Sequence, residues 1–586
     1  MPHKPLLCLA ALLLAGVATH AASAPAAATT QPAPSGPPTV LFDSFHYTGD
    51  DPLFAPQVPA GHYRNPILAG FYPDPSLCRV GEDYYLVNST FAFFPGIPVW
   101  HSRDLVNWTQ LGHAIDRPGM LRYEGLGVSD GLFAPTLRHH DGLFYLICTQ
   151  VKAGGNFFVT ARNPAGPWSD PVWLPEIDGF DPDFFFDDDG RAYIVNNGPP
   201  PDDKPLYSGH RAIWFQEFDL KAGKLTGPRR IIVDGGVDIS KKPIWIEGPH
   251  LFKHQGWYYL NCAEGGTSEG HSQVILRSRS VSGPFVPWEG NPMLTQRDLD
   301  PKRRDPVTCT GHADFVQTPA GEWFSVFLGC RPYSGDHYNT GRETFLLPVT
   351  WADGWPRILA KGLPVPATAR LPLPSVPAKP GPVPLTGNFA WHDDFNAPAS
   401  GRPGFAWNSL RGPSDSWAHF DRKAGWLALD AGSDRLSGKQ FPNFLGRRQQ
   451  HAVCSAETVL QLPAAPGCSG GIVVFQNETH HYYLGVRRGP SAPVVFLEKV
   501  SADKDNPVIT EIVTQALGPL PASATLRLRI EVRGGECNFL YAVGKGSLAS
   551  LASRQDARCL STLVAGGFVG SYLGIHARTE PLPTKP

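Results

Sequence analysis

Charge is scarce in this chain of 586 residues. Asp, Glu, Lys and Arg together make up 18%, and the formal net charge is −2. That balance supplies neither a basic face for nucleic acid nor a polybasic stretch for anionic lipid, so neither partner is expected. Helical periodicity is missing, as is any apolar run beyond the N-terminus long enough to span a bilayer. A phosphate-cradling Gly loop, a nucleophile elbow and Cys/His zinc spacing are missing too. What is abundant is apolar: hydrophobic residues make up 42%, enough for large cores, with 15 Trp, 17 Tyr and 33 Phe. Most of these rings must be core. Flat rings also stack on uncharged sugars, so a neutral oligosaccharide is the partner the composition favours.

The N-terminus has Lys4, an apolar run from Leu6 to Val17 and small residues from Ala21 to Ala24. This is the pattern of an export signal spanning residues 1–24. Cys8 lacks the preceding small residues of a lipid anchor, so a soluble periplasmic or secreted protein is expected. Of the nine remaining cysteines, those in strand-like runs, such as Cys148 and Cys262, read as small buried hydrophobes. Cys454 with Cys468, or Cys537 with Cys559, could bridge in an oxidising compartment. Residues 25–61 are expected to be an N-terminal linker or extension, rich in Ala, Pro and Thr up to residue 38. A second break, 363–387, is dense in proline, which withholds a backbone donor. It joins two domains or wraps across one of them.

Between the breaks, 62–362 holds a degenerate five-fold repeat. Its units open at Pro73 (PDPSLCRVGEDYYLVNSTF), Phe133 (FAPTLRHHDGLFYLICTQV), Phe180 (FDPDFFFDDDGRAYIVNNG), Glu247 (EGPHLFKHQGWYYLNCAEGG) and Gly311 (GHADFVQTPAGEWFSVFLG). Each is a β-hairpin signature followed by a second hairpin-like segment. Two hairpins make a four-stranded blade, and five units predict a five-bladed β-propeller. Residues 388–586 stay all-β and alternate between turns, which predicts a β-sandwich of jelly-roll, concanavalin-like type. The sandwich is expected to pack on the propeller and narrow one side of its pocket.

In a propeller the innermost strands run beside the axis, so equivalent residues near their starts converge. Aligned on Pro75, Pro135, Pro182, Pro249 and Ala313, the preceding residues are Asp74, Ala134, Asp181, Gly248 and His312. Glu247 lies one further back. A single Asp-Pro is an ordinary turn. Three acids at one repeat position are costly unless used. Glycoside hydrolysis uses two, a proton donor and a base or nucleophile, and a third can raise the donor's pKa. Other chemical-looking features read as structural. Asp187-Asp188-Asp189-Gly190 is a hairpin turn, His139-His140 and His480-His481 are strand-end pairs, and Arg447-Arg448 is a solvated surface pair.

The segments NPILAGFYPDPSLCRVGEDYYLVNSTF, GFDPDFFFDDDGRAYIV and WIEGPHLFKHQGWYYL, with GHADFV and NTGRETFLLPVTWADGWP, resemble glycoside hydrolase family 43. The likeness is to its β-xylosidase and α-L-arabinofuranosidase branch and runs from about Tyr63 to Ile358. GGIVVFQNETHHYYLGVRR and FVGSYLGIHAR resemble the sandwich that often follows. The resemblance implies Asp74 as general base, Asp181 as pKa modulator and Glu247 as general acid. The enzyme it implies is exo-acting and inverting, and releases xylose or arabinose from hemicellulose oligosaccharides. It further implies Arg342, Phe91, Phe133, Ala134 and His312 as substrate-binding residues. No cofactor is required, although a Ca2+ at the axis would face His312 through water. Phe133 stands where relatives often carry Trp, and Asp183 adds a fourth acid with no catalytic role. The rivals are a sugar-binding propeller without turnover and a retaining, fructan-active propeller. The residues leave xyloside and arabinofuranoside both open.

Overall fold

The computed structural model describes residues 37–374, 381, 383–489, 491–504 and 506–580. The export signal and residues 25–36 lie outside them. The molecule is all-β, with only one short α-helix, Thr562–Ala565, among the described residues. In the first part, each repeat unit forms one antiparallel sheet of four or five strands. The strands by which these sheets meet one another are Ser76–Val80, Thr136–His140, Phe180–Phe186, Glu247–His254 and Thr308–Gln317.

Hydrogen bonds tie these five strands into a closed ring. The Leu137 N–H donates to Ser76 Oγ, and Thr136 Oγ1 donates to the Pro182 carbonyl. The Gly248 N–H donates to Asp181. Asn261, on the strand beside Glu247–His254, donates to the Ala313 carbonyl. Ser76 Oγ and the Leu77 N–H close the circle on Asp314. The Asp187–Gly190 turn joins two adjacent strands of the third sheet, as expected.

The second part is two sheets. One has eight strands and the other six. Their facing sides bury Phe42, Leu460, Ile472, Leu484, Leu497, Ile530 and Ile575. The six-stranded sheet is buried on its other face as well. There Val473, Phe475, Tyr483, Phe496 and Tyr572 pack against Phe71, Phe91 and Phe93 of the first part. This accounts for the unbroken apolar run GGIVVFQ in Cys468–Asn477, in contrast to the alternating burial of Val453–Gln461. Each buried Phe contributes about 1.5–3 kcal/mol, so separating the two parts would cost on the order of 10 kcal/mol.

Several sequence expectations are corrected here. Residues 39–49 are not linker: Thr39–Gly49 is a strand inside the eight-stranded sheet, between Leu427–Asp430 and Val453–Gln461. A register shift between Phe42 and Ser44 breaks its alternation, so Val40 and Phe42, then Phe45 and Tyr47, all face inward. In the proline-rich 363–387 segment the described residues lie on the first part, the second of the two readings of that break. Thr368–Arg370 pairs with His62–Arg64, and the Ala69 N–H donates to the Leu385 carbonyl.

Arg447 and Arg448 are buried, not solvated. The Arg447 guanidinium lies 4.0 Å from the Tyr47 ring centroid and 4.7 Å from that of Trp391. Arg448 Nε donates to the Phe71 carbonyl at 2.7 Å and ties the two parts together. All nine described cysteines are free and buried, so the anticipated bridges are not formed. Cys454 and Cys468 belong to different sheets, and Cys559 Sγ donates to the Asp556 carbonyl.

Ending the chain at Pro364 would strip the partners of Thr39–Gly49 and uncover Phe71, Phe91 and Phe93. Such a fragment is expected to be insoluble or inactive in expression and size-exclusion trials. A soluble, fully active fragment would show the sandwich to be an independent module.

Candidate active site

Four of the five repeat units share a local distortion. Asp74, Asp181, Gly248 and His312 have φ of +49°, +54°, +54° and +52°, the left-handed region. In three of the sheets the ladder slips at that point, between Phe180 and Asp183, Glu247 and His250, and Gly311 and Asp314. A bulge of this kind re-aims a side chain, here towards the axis. Asp tolerates the left-handed region better than most residues. At position 248 only Gly serves, because a Cβ there would lie 2.8 Å from the His312 ring. Ala134, at the equivalent place in the second sheet, has no positive φ and supplies only a small wall.

These residues meet as the repeat alignment predicts. Asp74, Ala134, Asp181, Glu247 and His312 line one cavity of about 510 Å³, with Arg342, Phe91 and Phe133. Every site residue read from the sequence therefore lies in one place. Asp74 accepts from Arg342 Nη1 at 2.8 Å and from Ser89 Oγ at 2.5 Å, so both of its oxygens have donors. Asp181 accepts from the Gly248 N–H at 3.2 Å and faces His312 Nε2 at 3.4 Å.

Glu247 has no ion pair among the described residues, and its Oε1 is buried without a hydrogen-bond partner. Burial first, then the charges of Asp181 and Asp74, push its carboxyl up to about 8, while His312 and Arg342 oppose them only in part. Burial alone would lower the His312 imidazole. The hydrogen bond it donates to Asp181 and the charges of Asp74, Asp181 and Glu247 instead raise it to about 9. The site thus holds a carboxylic acid that keeps its proton at neutral pH, near a carboxylate braced by an arginine.

A row of rings walls the cavity. Phe568 stacks on Phe91 at 5.9 Å, Phe91 meets Phe133 at 5.0 Å, Phe133 meets Phe180 at 6.3 Å, and Phe180 stacks on Trp245 at 5.7 Å. Phe568 comes from the sandwich and closes one side of the pocket. Phe568, Phe180, Trp245 and Ser89 were not identified from the sequence. Trp245 and Phe180 flank the acidic motifs and Ser89 lies in VNSTF, but Phe568 sits in a loop with no repeat to mark it.

Beneath this layer the axis is filled. Arg138 Nη2 donates to Asp183 at 2.7 Å and faces His250 Nδ1 at 3.1 Å, while Nη1 donates to Asp314 at 2.8 Å. Asp183 is thus a structural counter-charge, as its alternate direction along the strand requires. A Ca2+ at the axis would meet this guanidinium, and His312 spends its Nε2 on Asp181. Among the described residues no group of three His, Cys, Asp or Glu side chains is arranged to hold a metal. The donors do not fit the ion.

Comparisons with known proteins converge on one family. A model described as Glycosyl hydrolases family 43 matches residues 63–356, and one for the Beta xylosidase C-terminal Concanavalin A-like domain matches 392–583. A non-reducing end alpha-L-arabinofuranosidase from Bacteroides ovatus is 36% identical over 88% of this chain and 91% of its own. A xylosidase/arabinosidase from Butyrivibrio fibrisolvens is 37% identical over 88% and 96%. The crystal structure of a GH43_12 retrieved from capybara gut metagenome superposes with a TM-score of 0.86 at 37% identity, covering 92% of this chain and 100% of that one.

Asp181→Asn should lower the pH at which Glu247 gives up its proton, because an amide no longer repels the ionised form. Loss of His312's partner acts in the opposite sense, but the Asp181 charge weighs more on Glu247 than His312 does. Carbon-13 NMR of labelled glutamate should show a midpoint below about 8. An unmoved midpoint would remove Asp181 from that role.

Proposed function

The chain belongs to glycosyl hydrolase family 43, and on that premise we propose that it is an exo-acting β-xylosidase and α-L-arabinofuranosidase. Its substrates are the non-reducing ends of neutral hemicellulose oligosaccharides. The observation that carries this reading is Glu247, a buried acid with one oxygen free, in the same cavity as the arginine-braced Asp74. We read the five sheets as the blades of a five-bladed propeller. Asp74 and Glu247, from the first and fourth blades, then face each other across its mouth. The apolar run from Leu6 to Val17 supports export to the periplasm or beyond.

Inversion follows from a single displacement. Water beside the sugar loses a proton to Asp74 and attacks the anomeric carbon, while Glu247 protonates the departing oxygen. Asp181 keeps Glu247 protonated until that moment. Arg342 holds Asp74 and, with Phe91, forms the floor for the sugar being released. The Phe568 wall closes the pocket on the sandwich side, which favours chain ends over internal bonds.

Glu247→Gln is expected to lower kcat on unactivated disaccharides by about 10²–10⁴, since an amide donates no catalytic proton. Aryl glycosides with good leaving groups should lose far less, and an equal loss on both would take Glu247 out of the acid role. Proton NMR of early turnover should show the anomer opposite to that of the substrate. A retained anomer, or a glycosyl ester trapped on Asp74, would sink the inverting assignment.

A further inference from the structure

We propose that Trp245 is the platform on which the leaving-group sugar stacks, and that it sets which aglycones the enzyme accepts. The proposal deepens the glycosidase reading of this site and rests on it.

Adjoining exposed apolar side chains rimmed by polar groups mark ligand surfaces. Trp245 is 38% exposed and its neighbour Ile244 is 48% exposed, in the stretch KKPIWIEG just before Glu247. Its backbone is strained. Trp245 has φ +51°, and for a bulky residue the left-handed region is a genuine outlier that the surroundings must enforce.

The surroundings do enforce it. The Trp245 N–H donates to the Gly209 carbonyl at 2.9 Å, and the Gly265 N–H donates to the Ile244 carbonyl at 2.7 Å. A side chain at Gly209 would stand 2.9 Å from Ile244 Cγ2, so the pinning loop itself needs glycine. The indole stacks on Phe180 with an angle of 29° between the rings. The Arg211 guanidinium lies 5.4 Å from both ring centroids, and Asn197 Oδ1 accepts from Arg211 at 2.7 and 2.9 Å. A half-exposed ring held this firmly is pre-organised for a flat partner.

Its place gives the partner. Along the row of rings, Phe91, capped by Phe568 and facing Arg342, is 2% exposed, while Trp245 at the other end is 38% exposed and lines the same cavity. The bond to be broken lies at Glu247. The sugar being released fills the Phe91 end, so the ring on the far side of the glycosidic oxygen lies outward, at Trp245. A pyranose leaving group offers one flat face of C–H groups to the indole. A ringless leaving group offers nothing to stack.

Trp245→Ala and Trp245→Phe should be compared with the unmodified enzyme on a neutral disaccharide that it cleaves, such as xylobiose, and on the matching glycosyl fluoride. The ratio of kcat/KM for disaccharide over fluoride should fall about tenfold or more in the Ala variant, and the Phe variant should recover most of it. An equal fall on both substrates would mean that Trp245 only positions the Glu247 loop, and would overturn the proposal. An unchanged ratio with unchanged rates would overturn it as well. If the unmodified enzyme cleaves neither substrate, the glycosidase reading fails and takes the platform with it.

Discussion

A carboxylic acid that must hold its proton at neutral pH has to be kept out of water and away from cations. The rest of the molecule can be read from that constraint on Glu247. Dryness comes from the ring row, and one of those rings, Phe568, belongs to the sandwich. The sandwich can supply it only because its six-stranded sheet is apolar on both faces and packs on the first part through Phe71, Phe91 and Phe93. Freedom from cations is a matter of allocation. Arg342 is committed to Asp74, His312 faces Asp181, and Arg138 is shared by Asp183 and Asp314. Glu247 is the acid of the cavity left without an ion pair among the described residues.

That allocation makes the axis self-sufficient in charge. Arg138 starts from the second blade-like sheet and reaches the inner strands of the first, third, fourth and fifth. Despite burial, Arg138 and then His250 hold the Asp314 carboxyl down to about 2. The layer under the site is therefore a fixed set of charges with geometry set by the protein. It keeps the inner strands in register and so keeps Asp74, Asp181 and Glu247 aimed at one point.

The acids were legible in the sequence because a repeat turns equal sequence position into equal spatial position. The left-handed residues at or beside them recur with that repeat, so aligning on the Pro column found the convergence without knowing its cause. Where no repeat operated, the sequence misled. Arg447-Arg448 looked like surface because adjacent charges usually are. On a strand, neighbours point to opposite faces, and here both faces are covered, so one guanidinium lies on Tyr47 and the other reaches Phe71. Thr39–Gly49 hid because one extra residue broke its alternation. Phe568 and Trp245 carried no periodic mark, since a loop residue gains its role only from what the fold sets opposite it.

The strand near the N-terminus that completes the far sandwich has a consequence for the order of events during synthesis. The Ser44 carbonyl accepts from Thr458 Oγ1, 414 positions later. At a synthesis rate of ~5–20 residues per second, that partner emerges roughly 20–80 s after Ser44. Until Phe389–Asp393 and Leu427–Asp430 emerge to pair with part of it, the strand carrying Val40, Phe42, Phe45 and Tyr47 is an unpaired edge, and its other side waits for Val453–Gln461. The five sheets can close on themselves as they appear, but the sandwich can form only at the end. The first of the described strands to be made is thus among the last to be placed, and the pocket wall supplied by Phe568 is finished later than the acids it shields.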